Sequence, residues 1–209
     1  MQSVTDTFGS IYPIMKLSPL FRLPAMAALA FSGALAPNAS AQTVHVSSGS
    51  TMTYTGSAPL HDWSGTSSEV SGTLVLDLDR PSRSTVRLSI PVASFDSGNG
   101  SRDEKMRDIT RAGRFPTVTF ASTSIEADAW RGSAADRSSR WLVRGTVQMN
   151  GHSHAVDARV DVRESGGRFT ARPVFEIRMS DLGIERPRIG PLKTSDTLRF
   201  EGDVRARLR

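Results

Sequence analysis

Residues 141–162 read WLVRGTVQMNGHSHAVDARVDV. Apolar residues recur at period two: Trp141, Val143, Val147 and Met149 before Asn150-Gly151, then Val156, Val160 and Val162 after it. Alternation of this kind marks half-buried strands, because successive side chains leave opposite faces of the backbone. Asn-Gly between two such runs is the strongest short hairpin signal, since both residues accept the positive φ that a tight hairpin turn requires.

The same rhythm extends in both directions. Upstream, Val70, Gly72, Leu74, Leu76 and Leu78 share one face, and Val86, Leu88, Ile90 and Val92 share another, with Arg87 and Ser89 opposite. Val118 and Phe120 continue it, followed by Ile125. Downstream come Phe169, Phe175, Ile177 and Met179, then Leu198, Phe200, Val204 and Leu208. Pro173 lies inside one of these runs. A strand proline lacks a ladder donor and predicts an edge or a bulge. Gly166-Gly167 and Asp79-Arg80-Pro81-Ser82 supply further turns, and Ala127 to Arg140 reads as a long polar loop. Roughly eight to ten short strands at this spacing predict an antiparallel sandwich or barrel.

One segment departs from the pattern. Ser101 to Ala112, SRDEKMRDITRA, has helical composition. Ser101 and Glu104 have the spacing of a capping box. Met106 and Ile109 share a face, and the helix is predicted to end near Gly113, before Pro116.

The chain of 209 residues has 38% hydrophobic and 22% charged residues and no cysteine. These values suit one ordinary core and argue against disorder. The net charge is +5. Its arginines are scattered among Asp and Glu without a dense basic run, so a nucleic-acid partner is not expected.

Residues 15 to 41 read as a secretory signal. Met15, Lys16 and Arg22 form a positive region, Leu23 to Leu35 an apolar run, and Ala39-Ser40-Ala41 a small-residue cleavage site. The expectation is a signal peptide over 1–41, with translation from Met15 as an alternative start, and a mature domain over 42–209. The apolar run is shorter than the ~20 residues of a membrane span, and no cysteine follows it for a lipid anchor. A periplasmic or secreted product without a stable membrane anchor is therefore expected.

Four stretches carry a family resemblance: His61-Asp62-Trp63-Ser64-Gly65 with Val70 to Leu74; SFDSGNGSRDEKMRD over 94–108, running into Phe115-Pro116-Thr117-Val118-Thr119-Phe120; GTVQMNGHSHAV over 145–156; and Ser180-Asp181-Leu182-Gly183-Ile184. Together they resemble the YceI-like family of polyisoprenoid-binding proteins across most of residues 43 to 208. The resemblance implies an all-β fold, an antiparallel lipocalin-like β-barrel with one short inserted helix. It also implies an elongated apolar cavity for a long isoprenoid or similar amphiphile, and no catalytic apparatus. Two places depart from the pattern: Arg111-Ala112-Gly113 replaces the more usual aromatic after the helix, and the strand Met52 to Gly56 is less typical.

The residues themselves permit either a cavity or a packed core. An eight-stranded barrel can hold one small ligand or fill itself with side chains. If a cavity exists, the inward apolar residues expected to line it are Leu74, Leu76, Leu88, Ile90, Val118, Phe120, Val147, Phe175, Ile177 and Phe200. Asp96, Arg102 and Asp103 are candidates for a polar mouth, or for helix capping and an ion pair that fixes the loop. No cofactor is expected beyond a bound isoprenoid lipid or isoprenoid quinone, and a homodimer is compatible with the sequence.

Two other readings compete. His152-Ser153-His154 places two imidazoles on one strand face, with His61 as a conceivable third ligand, and would suit a metal-assisted hydrolase. The pair sits beside a hairpin turn, however, where exposed polar residues are ordinary. Gly151 to Ala155 also lacks the strand–turn–helix setting of a nucleophile elbow. The other reading is a structural or stress-related envelope protein whose barrel is filled.

Overall fold

The computed structural model describes residues 41–58, 61–189 and 192–209. The expected signal peptide lies outside the described residues except for Ala41. Thirteen strands are seen: β1 (Gln42–His45), β2 (Thr51–Ser57), β3 (Asp62–Ser67), β4 (Ser71–Leu76), β5 (Thr85–Pro91), β6 (Thr117–Ala127), β7 (Arg131–Ser133), β8 (Asp136–Met149), β9 (His152–Ser165), β10 (Arg168–Arg178), β11 (Arg188–Ile189), β12 (Leu192–Lys193) and β13 (Thr197–Arg207). Among the described residues a single α-helix, α1 (Gly100–Ile109), is inserted between β5 and β6.

All strands but β11 and β12 belong to one antiparallel sheet in the order β1-β4-β5-β6-β8-β9-β10-β13-β2-β3, with β7 added beside β8. The sheet curls into a lipocalin-like barrel. Isolated bridges tie each edge back to the rest of the sheet, Val46 after β1 with Ala206 of β13, and Thr66 of β3 with Asp96 beyond β5.

The hairpin at the centre of the sheet is β8–β9, paired over fourteen residues from Asp136↔Ser165 to Met149↔His152. Asn150 and Gly151 take φ of 55° and 79°, as the turn demands. Along β9, Val156, Ala158, Val160 and Val162 are buried while Asp157, Arg159, Asp161 and Arg163 are exposed. Strict alternation fixes the register here, because a slip of one residue would turn every valine to solvent.

Three local expectations need correction. Pro173 is neither at an edge nor at a bulge. β10 is an interior strand paired with both β9 and β13. The ladder to β13 lapses at Arg172 and Pro173, but the register on either side is unchanged, Ala171↔Val204 and Val174↔Glu201. Gly202 on β13 leaves room for the proline ring there. The segment 127–140 is not a loop but β7 and the start of β8, a short exposed hairpin. Finally, the helix starts one residue earlier than expected and is capped by Asn99, whose Oδ1 accepts from Arg102 N at 3.1 Å. Ser101 and Glu104 do not form the cap. The helix ends at a Thr110 cap, where the Thr110 hydroxyl donates to Met106 O at 2.7 Å. Arg111, with φ of 51°, turns the chain away.

Two apolar clusters line the barrel toward its opposite ends. One gathers Met52, Tyr54, Phe95, Val147, Ile177, Met179, Leu182 and Phe200, and Met106 and Ile109 of α1 pack against it. The other gathers Val44, Leu76, Ile125, Trp141, Val162, Phe169 and Ala206, with Trp130 packed against it.

Candidate functional site

The strand faces that alternate inward enclose empty space in two adjoining chambers. The inner chamber, about 100 Å³, lies along the barrel axis. Its wall is apolar apart from Thr119, and it runs from Trp141 and Phe169 at one extreme to Met52, Phe95 and Leu182 at the other. The outer chamber, about 410 Å³, lies beneath α1. It is walled by Tyr54, Trp63, Met106, Ile109, Met179, Ile184 and Leu198, and also by His61, Asn99, Arg102, Lys105 and Thr194. Phe95, Val118, Met149 and Phe200 line both chambers and form the apolar boundary, or throat, where the two adjoin. Within the barrel, Phe200 stacks on Phe175 with ring centres 5.1 Å apart and planes 6° from parallel. A larger groove, about 750 Å³, crosses the outer face of the barrel between Arg131, Arg140, Arg168 and Arg172. Its lining is mostly charged and hydroxyl side chains and it is open to solvent, so it suits an apolar chain less well than the barrel interior.

The ten apolar residues read from the sequence, Leu74, Leu76, Leu88, Ile90, Val118, Phe120, Val147, Phe175, Ile177 and Phe200, all line the inner chamber. The three polar candidates divide. Arg102 lines the outer chamber. Asp103 is buried and accepts from Ser97 N at 3.1 Å, and Asp96 accepts from Gly98 N at 2.7 Å. These two carboxylates fasten the loop that leads into α1 and do not line either chamber.

The outer chamber was largely hidden in the sequence. Trp63 reaches it because Gly56, its cross-strand partner, has no side chain to hold the indole away. The mouth is braced by Asn150, which is 1% exposed. Its amide donates to Leu182 O at 2.9 Å and to Gly183 O at 3.1 Å, and its Oδ1 accepts from Arg111 Nε at 2.6 Å. Arg111 also donates to Asn150 O at 2.7 Å and lies over the Phe115 ring at 5.0 Å. The atypical Arg111 thus ties the end of α1 to the β8–β9 turn.

The opposite end is stoppered. Trp141 contacts Trp130 and Phe169 with ring centres 6.3 and 5.9 Å apart, and the Trp130 indole donates to Leu78 O at 2.8 Å. Two buried side-chain polar atoms among the described residues lack a hydrogen-bond partner, Trp141 Nε1 and Thr194 Oγ1, and each belongs to a residue lining a chamber. The Tyr54 hydroxyl is pushed above the ordinary phenol range, first by burial and then by the charge of Asp103, so the outer wall presents it as a neutral phenol.

His152 and His154 have different neighbours. His154 lies 3.6 Å from Asp181, whose carboxylate also pairs with Arg178, and the His152 ring packs against Gly183. Among the described residues, no group of three or more His, Cys, Asp or Glu side chains is placed to hold a metal ion.

Comparison with known proteins agrees with this architecture. A UPF0312 protein of Shewanella sp. is 31% identical over 139 residues, which span 61% of this chain and 66% of that protein. Protein YceI of Escherichia coli is 32% identical over 66 residues, 31% of this chain and 35% of the relative. Among solved structures, BcnA of Burkholderia cenocepacia superposes with a TM-score of 0.64 at 19% identity, covering 75% of this chain and 96% of BcnA. A polyisoprenoid binding domain from Saccharophagus degradans superposes with a TM-score of 0.64 at 15% identity, covering 80% and 98%. Residues 38–206 match the YceI-like domain, and the chain belongs to that family.

Proposed function

We propose that this protein is an exported binding protein that sequesters or carries a polyisoprenoid or similar long amphiphile, and performs no chemistry on it. The observation that carries the reading is the pair of chambers joined at an apolar throat and closed at one end only. A cavity of ~150 Å³ accommodates benzene, or about 25 Å³ per carbon. On that scale the outer chamber takes about sixteen carbons and the inner about four, which together is roughly four prenyl units. Burying twenty carbons is worth up to about 16 kcal/mol, enough to exceed an association cost of ~4–15 kcal/mol. A small molecule of five or six carbons, at up to about 4–5 kcal/mol, reaches only the low end of that cost. The solved neighbour from Saccharophagus degradans is by its description a polyisoprenoid binding domain, which supports the same ligand class here. The secretory leader supports a periplasmic or secreted location.

Native mass spectrometry of the protein purified from its own host tests the proposal. The expected result is a mature chain beginning at Gln42 and a co-purifying lipid released by organic extraction. Absence of lipid at any stoichiometry would overturn the carrier reading in favour of a filled envelope barrel.

A further inference from the structure

The groove of about 750 Å³ on the outer face of the barrel is built from residues of β7, β8, β9 and β10, and five arginines line it. Arg163 is paired with Asp136 at 2.6 Å and Arg172 with Asp203 at 3.7 Å. Arg131, Arg140 and Arg168 are exposed and form no ion pair with a described residue. Arg168 also stands directly opposite Arg207 of β13. Like charges placed so across two strands destabilise a sheet unless something neutralises them. Two carboxylates share the lining, Asp128 and Asp161, and they too form no ion pair with a described residue. Asp161 has Arg140 as its cross-strand neighbour on one side and Arg172 on the other, yet closes on neither. The hydroxyls of Ser138, Ser165 and Thr170 lie among these groups. Free cations and free acceptors therefore stand side by side without pairing with one another.

We propose that this groove is a binding site for an acidic saccharide chain. Arg131, Arg140 and Arg168 hold its carboxylate, phosphate or sulfate groups, while Asp128, Asp161 and the Ser and Thr hydroxyls hold its ring hydroxyls. A planar guanidinium binds such oxyanions through two hydrogen bonds at once. Arg140 and Arg172 lie two strands apart, roughly 10 Å at the usual strand spacing, so an occupant that meets both is extended and repeats its charge. A bare polyanion would be repelled by the two carboxylates. A single-stranded nucleic acid is held by aromatic rings on which its bases stack, and no aromatic side chain of a described residue lines the groove. A lipid tail needs an apolar wall, and among the described residues Val162 alone supplies an aliphatic side chain there. A sugar with acidic substituents is the ligand that uses donors and acceptors in this mixture. The site lies outside the barrel and does not depend on the carrier reading.

Calorimetric titration with oligogalacturonate, its methyl ester and inorganic polyphosphate tests the assignment. Oligogalacturonate should bind about tenfold or more tightly than the methyl ester, with an affinity that falls as salt rises. The double variant Arg140→Gln/Arg168→Gln should lose that margin. Arg83→Gln/Arg87→Gln, an equal loss of charge outside the groove, should keep it. All four side chains are exposed, so both variants are expected to fold, and their unfolding midpoints verify this. The groove variant should unfold no lower than the parent protein, because the repulsion between Arg168 and Arg207 is relieved. No binding of oligogalacturonate, or equal binding of its methyl ester, would overturn the acidic-saccharide site. Equal weakening by both double variants would overturn it in favour of a general effect of net charge. Polyphosphate binding more tightly than oligogalacturonate would overturn the saccharide in favour of a bare polyanion.

Discussion

The two ends of the barrel are made by the same strands, yet one is filled and the other hollow. At the Trp141 end, large aromatic rings meet edge to face and the β7 hairpin lays Trp130 across the opening. At the α1 end, smaller and more flexible side chains, Met106, Ile109, Met149 and Met179, surround a chamber several times larger than the inner one. The stopper is held by packing. The mouth is held by hydrogen bonds among Asn150, Arg111, Leu182 and Gly183. Packing density fixes a volume, whereas a hydrogen-bonded brace fixes a rim and leaves what it surrounds free to be occupied.

The contrast is broken most directly by deleting the same ring at each end. Phe169→Ala should cost about 3–5 kcal/mol, as full truncation in a dense core does. Phe200→Ala should cost roughly 2 kcal/mol, because that ring borders both chambers whereas Phe169 borders only the smaller one, so Phe200 has fewer atoms to lose contact with. Equal losses in urea denaturation would mean that the ends are packed alike.

Asn150→Ala comes next. It removes the partner of the Leu182 and Gly183 carbonyls and of Arg111 Nε, while Arg111 keeps its bond to the backbone oxygen of residue 150, and about 1–3 kcal/mol should be lost. Hydrogen exchange should show the loss of protection confined to α1 and residues 179–184. Loss spread evenly to the Trp141 end would refute the separation of brace and stopper.

Val118→Phe places a larger group in the throat. Overpacking there should cost about 1–3 kcal/mol or less of stability, since the space is partly vacant, while a chain long enough to fill both chambers should bind about tenfold more weakly. A short chain confined to the outer chamber should be unaffected.

The smallest effect is on pH. The Asp196 carboxyl is held below the usual carboxylate range, chiefly by the Ser180 hydroxyl, with burial opposing and the Ser180 N–H and the Arg186 and Arg178 charges assisting. A folded pKa below the unfolded one stabilises the protein above the unfolded value and loses that stability as pH falls through the folded one. The unfolding midpoint should therefore dip slightly below about pH 4, and Asp196→Asn should flatten the dip.

The sheet and its inward face were legible because a buried strand has a period and a period cannot be disguised. Leu88, Val147 and Ile177 announce their side of the wall without reference to anything distant. The outer chamber has no such signal. His61, Lys105 and the Pro187–Thr194 pair come from three separate segments, and only the closed fold makes them neighbours. The hairpin over 127–140 was also silent, because Arg131-Gly132-Ser133 is exposed on both faces and owes its strand to the partner it pairs with. Pro173 misled for a related reason. Its missing N–H is tolerated in an interior strand because Gly202 opposite makes room for the ring and the ladder simply lapses over two residues.

The placement of the three tryptophans gives the molecule an optical address system. Trp63 stands half-buried in the outer chamber, Trp141 is enclosed in the wall of the inner one, and Trp130 lies behind the stopper with its indole already bonded to Leu78. An occupant that reaches only the mouth changes the polarity around one fluorophore. One that threads to the end changes two, and the third serves as an internal standard that neither disturbs. Single-tryptophan variants would therefore report, by emission wavelength alone, how deep any guest has travelled.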